Sequence, residues 1–398
     1  MRYLLLYLLL FFEVRVIRTL GLAEFGLSLL IFKKIIDKNP ESQLSSVVHF
    51  DQTTKYAVAF VLFSLSTLFF NPLYSVFSGF TNFMRLSLMV MAFIVLPNKK
   101  YPYHEWLGYL KHTKYVLIIL LILSLSEFFL IRFGVIPDFR LLKTEDWINN
   151  KGRPHGVYSE PSLLAITISI LAYFLINYNI RFISKRDHLS TTLVILFSII
   201  CLILTTSLIG IVLGSFLLVL WIHKIGDIKW KIIISSVFIL GFFFFSKTTL
   251  FQAYSERLTN IFDGSDNSTQ HRIIGSSLYV IESLEDNWFN GIGIGQSLRF
   301  SEINRIDPDG FSQLNRTVNH SFGSISLELG LGGLFIFIIL SFSVFKKNLS
   351  GFILMMLIMA SHGAYIFYFF WLHLILQKIF KAEIVVENSP EFDISSDS

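Results

Sequence analysis

Long apolar runs separated by short charged connections recur along the whole chain, and they constrain its fold more than any other feature. Of its 398 residues, 53% are hydrophobic and 15% are charged, whereas a soluble domain carries about 25% charged residues. A helix that crosses a bilayer needs about 20 mostly apolar residues. The pattern therefore predicts an all-α fold, a polytopic membrane helix bundle with about 12 transmembrane helices. The predicted spans are residues 2–12, 19–33, 55–72, 78–96, 115–136, 158–179, 190–206, 208–222, 231–247 and 321–345, with a last run over 351–380 that forms one long helix or a hairpin.

Lysine and arginine cluster in alternate connections, which predicts how the spans are oriented. Positive charge is retained on the cytoplasmic side of a membrane, so the connections after the second, fourth, sixth, eighth and tenth spans are expected there. Lys378 and Lys381 then favour a terminal hairpin, with both chain ends cytoplasmic. On this interpretation the net charge of +5 is a topology signal, and we expect no nucleic-acid partner. The single cysteine, Cys201, excludes a disulfide within the chain.

The predicted organisation has four parts. Residues 1–247 hold nine spans and an extracytoplasmic loop at 137–157, and residues 248–320 form a large, partly helical extracytoplasmic loop between the ninth and tenth spans. Residues 321–380 hold the C-terminal transmembrane helices, and residues 381–398 form a cytoplasmic acidic tail. The polar side chains of both outward loops therefore face one extracytoplasmic region, where we expect the functional site.

Arginine alone supplies the positive charge of the large loop, because no lysine lies between Lys247 and Lys346. A guanidinium can donate two parallel hydrogen bonds to one phosphate, a bidentate geometry that an ammonium cannot adopt. The composition favours bidentate anion recognition, and a merely solvated loop is the alternative. The arginines of the loop are Arg257, Arg272, Arg299, Arg305 and Arg316.

The smaller outward loop ends in GRPHGVYSEPS, which predicts a helix that begins near Pro161. Proline is favoured at the first helical position, and Ser159 or Glu160 can serve as the cap. Arg153 then lies just ahead of a helix N-terminus, whose free amides attract anions. The alternative is an ordinary helix entry with an arginine at the level of the lipid headgroups.

Apolar residues at helical spacing between Arg272 and Trp288 predict an amphipathic helix within the large loop, ended by Asn290 and Gly291. An arginine in the first turn opposes the helix dipole, which favours an anion held there. The GIGIG that follows is similar to a phosphate loop. We do not assign it that role, because no strand precedes it and no helix opening with Lys-Ser or Lys-Thr follows.

His320 opens a membrane helix on the outward side, and Glu328 lies about two turns deeper within roughly 80° of the same face. A histidine at a membrane boundary is often structural, but this one shares its compartment with the arginines and is the best general base there. Asp307 and Asp309 form an Asp-x-Asp pair, yet the intervening proline and following glycine favour a plain turn. We therefore expect no metal site.

Together, GRPHGVYSEPS, QHRIIGSSLYVIESLEDNWFNGIGIG and NHSFGSISLELGLGG resemble the O-antigen polymerase and O-antigen ligase superfamily. The resemblance covers roughly the half of the chain between Arg153 and Gly333 and fits the whole topology. Many members carry a Ser-Arg pair before a glycine where two mid-chain helices meet, whereas here Leu208 follows Ser207. One phosphate-binding arginine of the family pattern is therefore missing, or an arginine of the large loop takes its place.

The resemblance implies a glycosyltransferase of a bacterial cytoplasmic (inner) membrane that joins undecaprenyl-diphosphate-linked oligosaccharides outside that membrane, without a metal or other cofactor. Donor and acceptor would both be lipid-linked oligosaccharides, and a chain-length regulator is a possible protein partner. Arg153 and Arg272 would hold the diphosphate, with Arg257 and Arg299 as further candidates. His320 would act on the acceptor hydroxyl, oriented by Glu160 or Glu328.

Two alternatives to a polymerase stay open at this point. An O-antigen ligase would transfer the finished glycan to lipid A core, and the short SEPS motif favours the polymerase over it. A lipid-linked oligosaccharide flippase or other transporter could share the topology. Transporters place ionisable residues near the membrane midplane and show repeated halves, and neither feature is clear in this sequence.

Overall fold

A computed structural model describes most of the helical part of the chain. The described residues are 3–11, 15–17, 20–36, 51–70, 75–98, 100–133, 158, 160–178, 185–205, 207–225, 228–248, 251–252, 255–256, 259–260, 263, 280–281, 285, 287–297, 300, 320–361 and 368–385. These residues are mostly helical and strongly apolar, which confirms the predicted all-α membrane protein at this level of detail.

Among the described residues, twelve α-helices, one short 3₁₀ helix and four very short strands have defined bounds, and further residues between 251 and 300 are helical. The strands β1 and β2 pair antiparallel, and β3 and β4 pair parallel. The elements are α1 Leu4–Tyr7, the 3₁₀ helix Leu8–Phe11, β1 Arg15–Ile17, β2 Leu20–Gly21, α2 Leu22–Ile36, α3 Gln52–Phe70, α4 Val76–Val95, β3 Lys100–Pro102, α5 Tyr103–Arg132, α6 Pro161–Tyr178, α7 Lys185–Leu204, α8 Leu208–Lys224, α9 Ile228–Phe245, α10 Ser321–Phe345, α11 Leu349–Ser361, α12 Tyr368–Lys381 and β4 Glu383–Val385.

Four helices within the described residues are long and apolar enough to cross a membrane: Val76–Val95, Tyr103–Leu130, Pro161–Tyr178 and Ser321–Phe345. Several shorter apolar helices pack among them, including α8 and α11. The structure thus supports a polytopic bundle, but it does not confirm the predicted number of about 12 spans.

The first predicted span, residues 2–12, is helical over residues 4–11, which form α1 and a 3₁₀ helix. At about 1.5 to 2.0 Å per residue these reach roughly half of a 30 Å hydrocarbon core, and they are not among the described helices that are long and apolar enough to cross a membrane. Helix α1 packs on α5: the Tyr3 ring stacks on His112 at 4.2 Å, and the Tyr7 hydroxyl lies 2.9 Å from His112 Nδ1.

The last apolar run forms two helices, which confirms the predicted hairpin. Helix α11 ends at Ser361 and α12 begins at Tyr368. The two helices contact each other, and His373 Nε2 lies 3.4 Å from the carbonyl oxygen of Gly351. The chain thus returns to the end of the bundle from which α11 started.

Contacts between lysines and distant connections define one end of the bundle, which we call the lysine end. Lys34 Nζ donates to Asn98 Oδ1 at 2.6 Å, which joins the ends of α2 and α4. Lys381 Nζ donates to the Val344 carbonyl at 2.7 Å, which joins the ends of α12 and α10. The Tyr173 hydroxyl donates to Asn348 Oδ1 at 3.0 Å, so α6 also ends there.

Helices α6 and α10 therefore both begin at the opposite end, which we call the far end. The relative placement of these ends agrees with the alternation of lysine-bearing connections in the sequence. Helix α6 is the most enclosed element: residues 161–176 are all buried, and α5, α7 and α8 pack around it. Its N-terminus at Pro161 is the predicted one, so Glu160 stands at the start of the central helix.

Candidate functional site at the far end

Helix α10 is interrupted at Gly330, and this break organises the far end. The backbone of Gly330 has φ 65° and ψ −172°, a region that is essentially restricted to glycine. An interrupted helix leaves carbonyl groups before the break and amides after it without intrahelical partners. Inside a membrane such groups must find partners within the protein, because no water is available.

Residues 287–296, here called the inserted segment, supply those partners. The amides of Ile292 and Gly293 donate to the carbonyls of Leu327 and Glu328, each at 2.9 Å. In the other direction, the amide of Leu331 donates to the Trp288 carbonyl at 2.8 Å. The amide of Gly332 donates to the Phe289 carbonyl at 3.1 Å. Four backbone hydrogen bonds thus join the break in α10 to a piece of the large loop.

Glycine is required on both sides of this contact because the two backbones touch. A Cβ atom on Gly330 would lie 2.3 Å from the Phe289 carbonyl oxygen, and one on Gly291 would lie 2.5 Å from the Glu328 carbonyl carbon. Gly291, Gly293 and Gly295 also have positive φ angles, which other residues rarely adopt. The backbone of the GIGIG sequence therefore forms the surface that contacts α10.

The other side of the inserted segment contacts the last turn of α3 and the start of α4. Gln296 is fully buried; its Oε1 accepts from the Ser75 amide at 2.7 Å, and its Nε2 donates to the Ser75 carbonyl at 2.9 Å. The Ser78 hydroxyl donates to the Gly295 carbonyl at 2.7 Å. The Ile294 amide donates to Thr67 Oγ1 at 3.3 Å. The segment is consequently held by α3, α4 and α10 together.

Glu328 belongs to this contact as well. Its carboxylate is buried, and Oε2 accepts a hydrogen bond from the Gly295 amide at 2.9 Å. Each amide from Gly291 to Gln296 has a partner within the protein, and this supports the prediction that GIGIG is not a phosphate loop. The contact gives Glu328 an anchoring role that the sequence did not indicate.

His320 is the N-cap of α10, as its position at the helix start predicts. Its Nδ1 accepts a hydrogen bond from the Gly323 amide at 2.9 Å. A neutral imidazole that accepts at Nδ1 carries its hydrogen on Nε2. Burial lowers the pKa of His320 below its ordinary value, which keeps the ring neutral near pH 7. In this arrangement Nε2 can donate a hydrogen bond, and Nδ1 can take a proton only when the cap bond opens.

Glu160 caps the central helix through its backbone, since its carbonyl accepts from the Leu163 amide at 3.2 Å. Its Oε2 also accepts from the Ser162 hydroxyl at 2.8 Å. The described hydrogen bonds therefore give the three predicted catalytic side chains different partners: Ser162 for Glu160, Gly323 for His320 and Gly295 for Glu328. All three stand in the far-end half of their helices.

The remaining predicted residues have mixed outcomes. Val280, Ile281, Glu285 and Asn287 are helical and Trp288 is not, so the predicted helix in the large loop ends where expected, while its start lies outside the described residues. The aromatic side chains beside the two loops differ in exposure: Tyr158 is 1% exposed, whereas Trp288 is 60% exposed. The residues Arg153, Arg257, Arg272, Arg299, Arg305, Arg316, Asp307 and Asp309 lie outside the described residues.

The sequence reasoning missed Thr67, Ser75, Ser78 and Gln296. One signal was present: GIGIG and LGLGG place glycines at short intervals on both sides of the contact.

Within the described residues no group of three His, Cys, Asp or Glu side chains is arranged to hold a metal. Comparison with protein-family models gives no match, and comparison with curated proteins gives no similar protein.

We predict that Gly330→Ala destabilises the protein, because alanine at this φ and ψ is strained and its Cβ would overlap the Phe289 carbonyl. The apparent melting temperature of the purified protein should fall by roughly 4 to 10 °C. Gly214→Ala in α8 is the matched control, since the nearest atom to its Cβ is 3.4 Å away. An unchanged melting temperature in Gly330→Ala would contradict the tight contact between α10 and the inserted segment.

Proposed function

We propose that this protein is a surface-polysaccharide (O-antigen) polymerase that joins undecaprenyl-diphosphate-linked oligosaccharide units on the outer face of a bacterial cytoplasmic membrane. The observation that carries the proposal is that Glu160, His320 and Glu328 all stand toward one end of the helix bundle, opposite the lysine end. The sequence adds Arg153 ahead of α6 and an arginine-only loop ahead of α10. This combination suits a lipid-linked anionic donor.

The chemistry is an inverting glycosyl transfer without a metal. The acceptor hydroxyl oxygen forms a bond to the anomeric carbon of the donor sugar, the bond from that carbon to the diphosphate breaks, and the hydroxyl proton passes to a base. The diphosphate is a good leaving group once its charge is neutralised, and Arg153 and Arg272 supply that charge. Arg257 and Arg299 are further candidates to replace the arginine that is absent beside Ser207.

His320 is the proposed base. To act, Nδ1 exchanges its hydrogen bond from the Gly323 amide for one from the acceptor hydroxyl, while Nε2 keeps its hydrogen. Glu160 and Glu328 are the two candidate carboxylates to orient it, and each already accepts a hydrogen bond at Oε2, from the Ser162 hydroxyl and the Gly295 amide respectively. The large loop would then bring the donor diphosphate to the two helix starts.

A transporter of lipid-linked oligosaccharides is the second candidate, and one observation favours it. Arg85 lies in the middle of α4, and its Nε is 3.8 Å from Glu24 Oε1 of α2. Ionisable pairs inside membrane helices commonly mark transport pathways, and interrupted helices such as α10 do so as well. The polymerase remains the better proposal, because the polar residues of the chain concentrate in the two loops of one side.

Deleting the gene should leave single repeat units attached to the carrier core on a surface-polysaccharide gel, in place of a ladder of long chains. A plasmid copy of the wild type should restore the ladder. Loss of all attached glycan would contradict the polymerase. In that case the lipid-linked pool separates the alternatives: long chains on the lipid indicate a ligase, and single units indicate a transporter.

We predict that His320→Asn keeps the fold and loses the chemistry. Asparagine is a strong N-cap but has no imidazole, whereas His320→Ala loses both. Turnover of the purified His320→Asn variant on a lipid-linked donor should fall by about 10² to 10⁴-fold with an unchanged melting temperature. Because burial lowers the pKa of His320, wild-type turnover should decline only below about pH 6.5. A near-wild-type rate in His320→Asn would show that His320 acts only as the N-cap of α10 and is not the base.

A further inference from the structure

We propose that a cavity at the lysine end binds the phosphate headgroup of an anionic phospholipid. The cavity has a volume of about 240 Å³ and lies where the ends of α3, α4, α10 and α12 meet. This site is at the opposite end of the bundle from the candidate glycosyl-transfer site, and it does not depend on that function. Its polar lining residues are Asp51, Thr53, Asn98, Ser343, Lys378 and Lys381.

The described lining residues carry net positive charge. Lys378 and Lys381 contribute two ammonium groups, and Asp51 is the one carboxylate among the described lining residues. Lys34 adds a third ammonium at the rim, because its Nζ donates to the Asn98 side chain and to the Leu96 carbonyl. An anion that enters the cavity therefore meets an excess of positive charge.

The two lysines are held in place by contacts that leave donors for a ligand. Lys378 Nζ lies 3.3 Å from Asp51 Oδ2 and 4.6 Å from the centre of the Phe93 ring. Lys381 Nζ donates to the carbonyls of Val344 and Lys346, at 2.7 and 2.9 Å. An ammonium has three N–H donors. These contacts orient both groups without using all of their hydrogens.

The position of the cavity selects a lipid over a free anion. Helix ends mark the level of the lipid headgroups, and basic pockets between membrane helices on the lysine-rich side are known to hold anionic headgroups. The lining also contains the apolar side chains of Ile94, Val344 and Ala382 beside the ammonium groups. An apolar wall beside a cationic one matches a phosphodiester that is attached to acyl chains.

The test is lipid binding to the purified full chain, measured by native mass spectrometry with phosphatidylglycerol and, separately, phosphatidylcholine. The wild type should prefer phosphatidylglycerol. Lys378→Gln with Lys381→Gln should weaken phosphatidylglycerol binding by about 25-fold, since each cation near an anionic headgroup contributes about five-fold. The control pair Lys224→Gln with Lys229→Gln removes the same charge from exposed positions outside the cavity. The control pair should change phosphatidylglycerol binding less than about three-fold, because salt screens charges that lie far from the cavity.

Asp51→Asn distinguishes an electrostatic effect from a structural one. It removes the carboxylate that competes with the lipid phosphate for Lys378, so it should strengthen phosphatidylglycerol binding. Weaker binding in Asp51→Asn, or equal losses in the two lysine pairs, would overturn the proposal. Displacement of the lipid by inorganic phosphate would assign the cavity to a free anion and would also overturn the lipid assignment.

Discussion

The fold of the far end depends on the exchange of backbone hydrogen bonds between an interrupted membrane helix and the inserted segment. Each unsatisfied backbone group in a hydrocarbon environment costs several kcal/mol, and the break at Gly330 would expose four such groups if the segment were absent. The interruption and the insertion are therefore one structural unit. The carboxylate of Glu328 and the amide of Gln296 extend the same unit to the second half of the segment and to α4.

This unit has a direct bearing on the proposed chemistry. The part of α10 that precedes the break carries both His320 and Glu328, and its position is determined by a piece of the large polar loop. That loop also contains Arg272 and Arg299 on either side of the inserted segment. In the proposed function, these arginines of the loop neutralise the donor diphosphate.

Local patterns in the sequence predicted much of the helical fold. Proline after Glu160, histidine before Ser321 and the lysines of the final run each act over a few residues, and the structure confirms the helix starts and the hairpin that they predict. The break at Gly330 could not be predicted in the same way, because glycine in an apolar helix equally indicates close packing. Its partner at Ile292 and Gly293 lies more than thirty residues away. Gln296 was missed for the same reason, since only long-range contacts bury it.

Amide hydrogen exchange of the purified protein in detergent tests the insertion most directly. Exchange in the peptide that covers residues 291–296 should be slower than the intrinsic rate of an unstructured chain by at least about 10³-fold, because its amides donate to buried partners. Exchange at or near the intrinsic rate would show that the segment is solvated, and it would contradict both the docking at Gly330 and the positioning of His320 that depends on it.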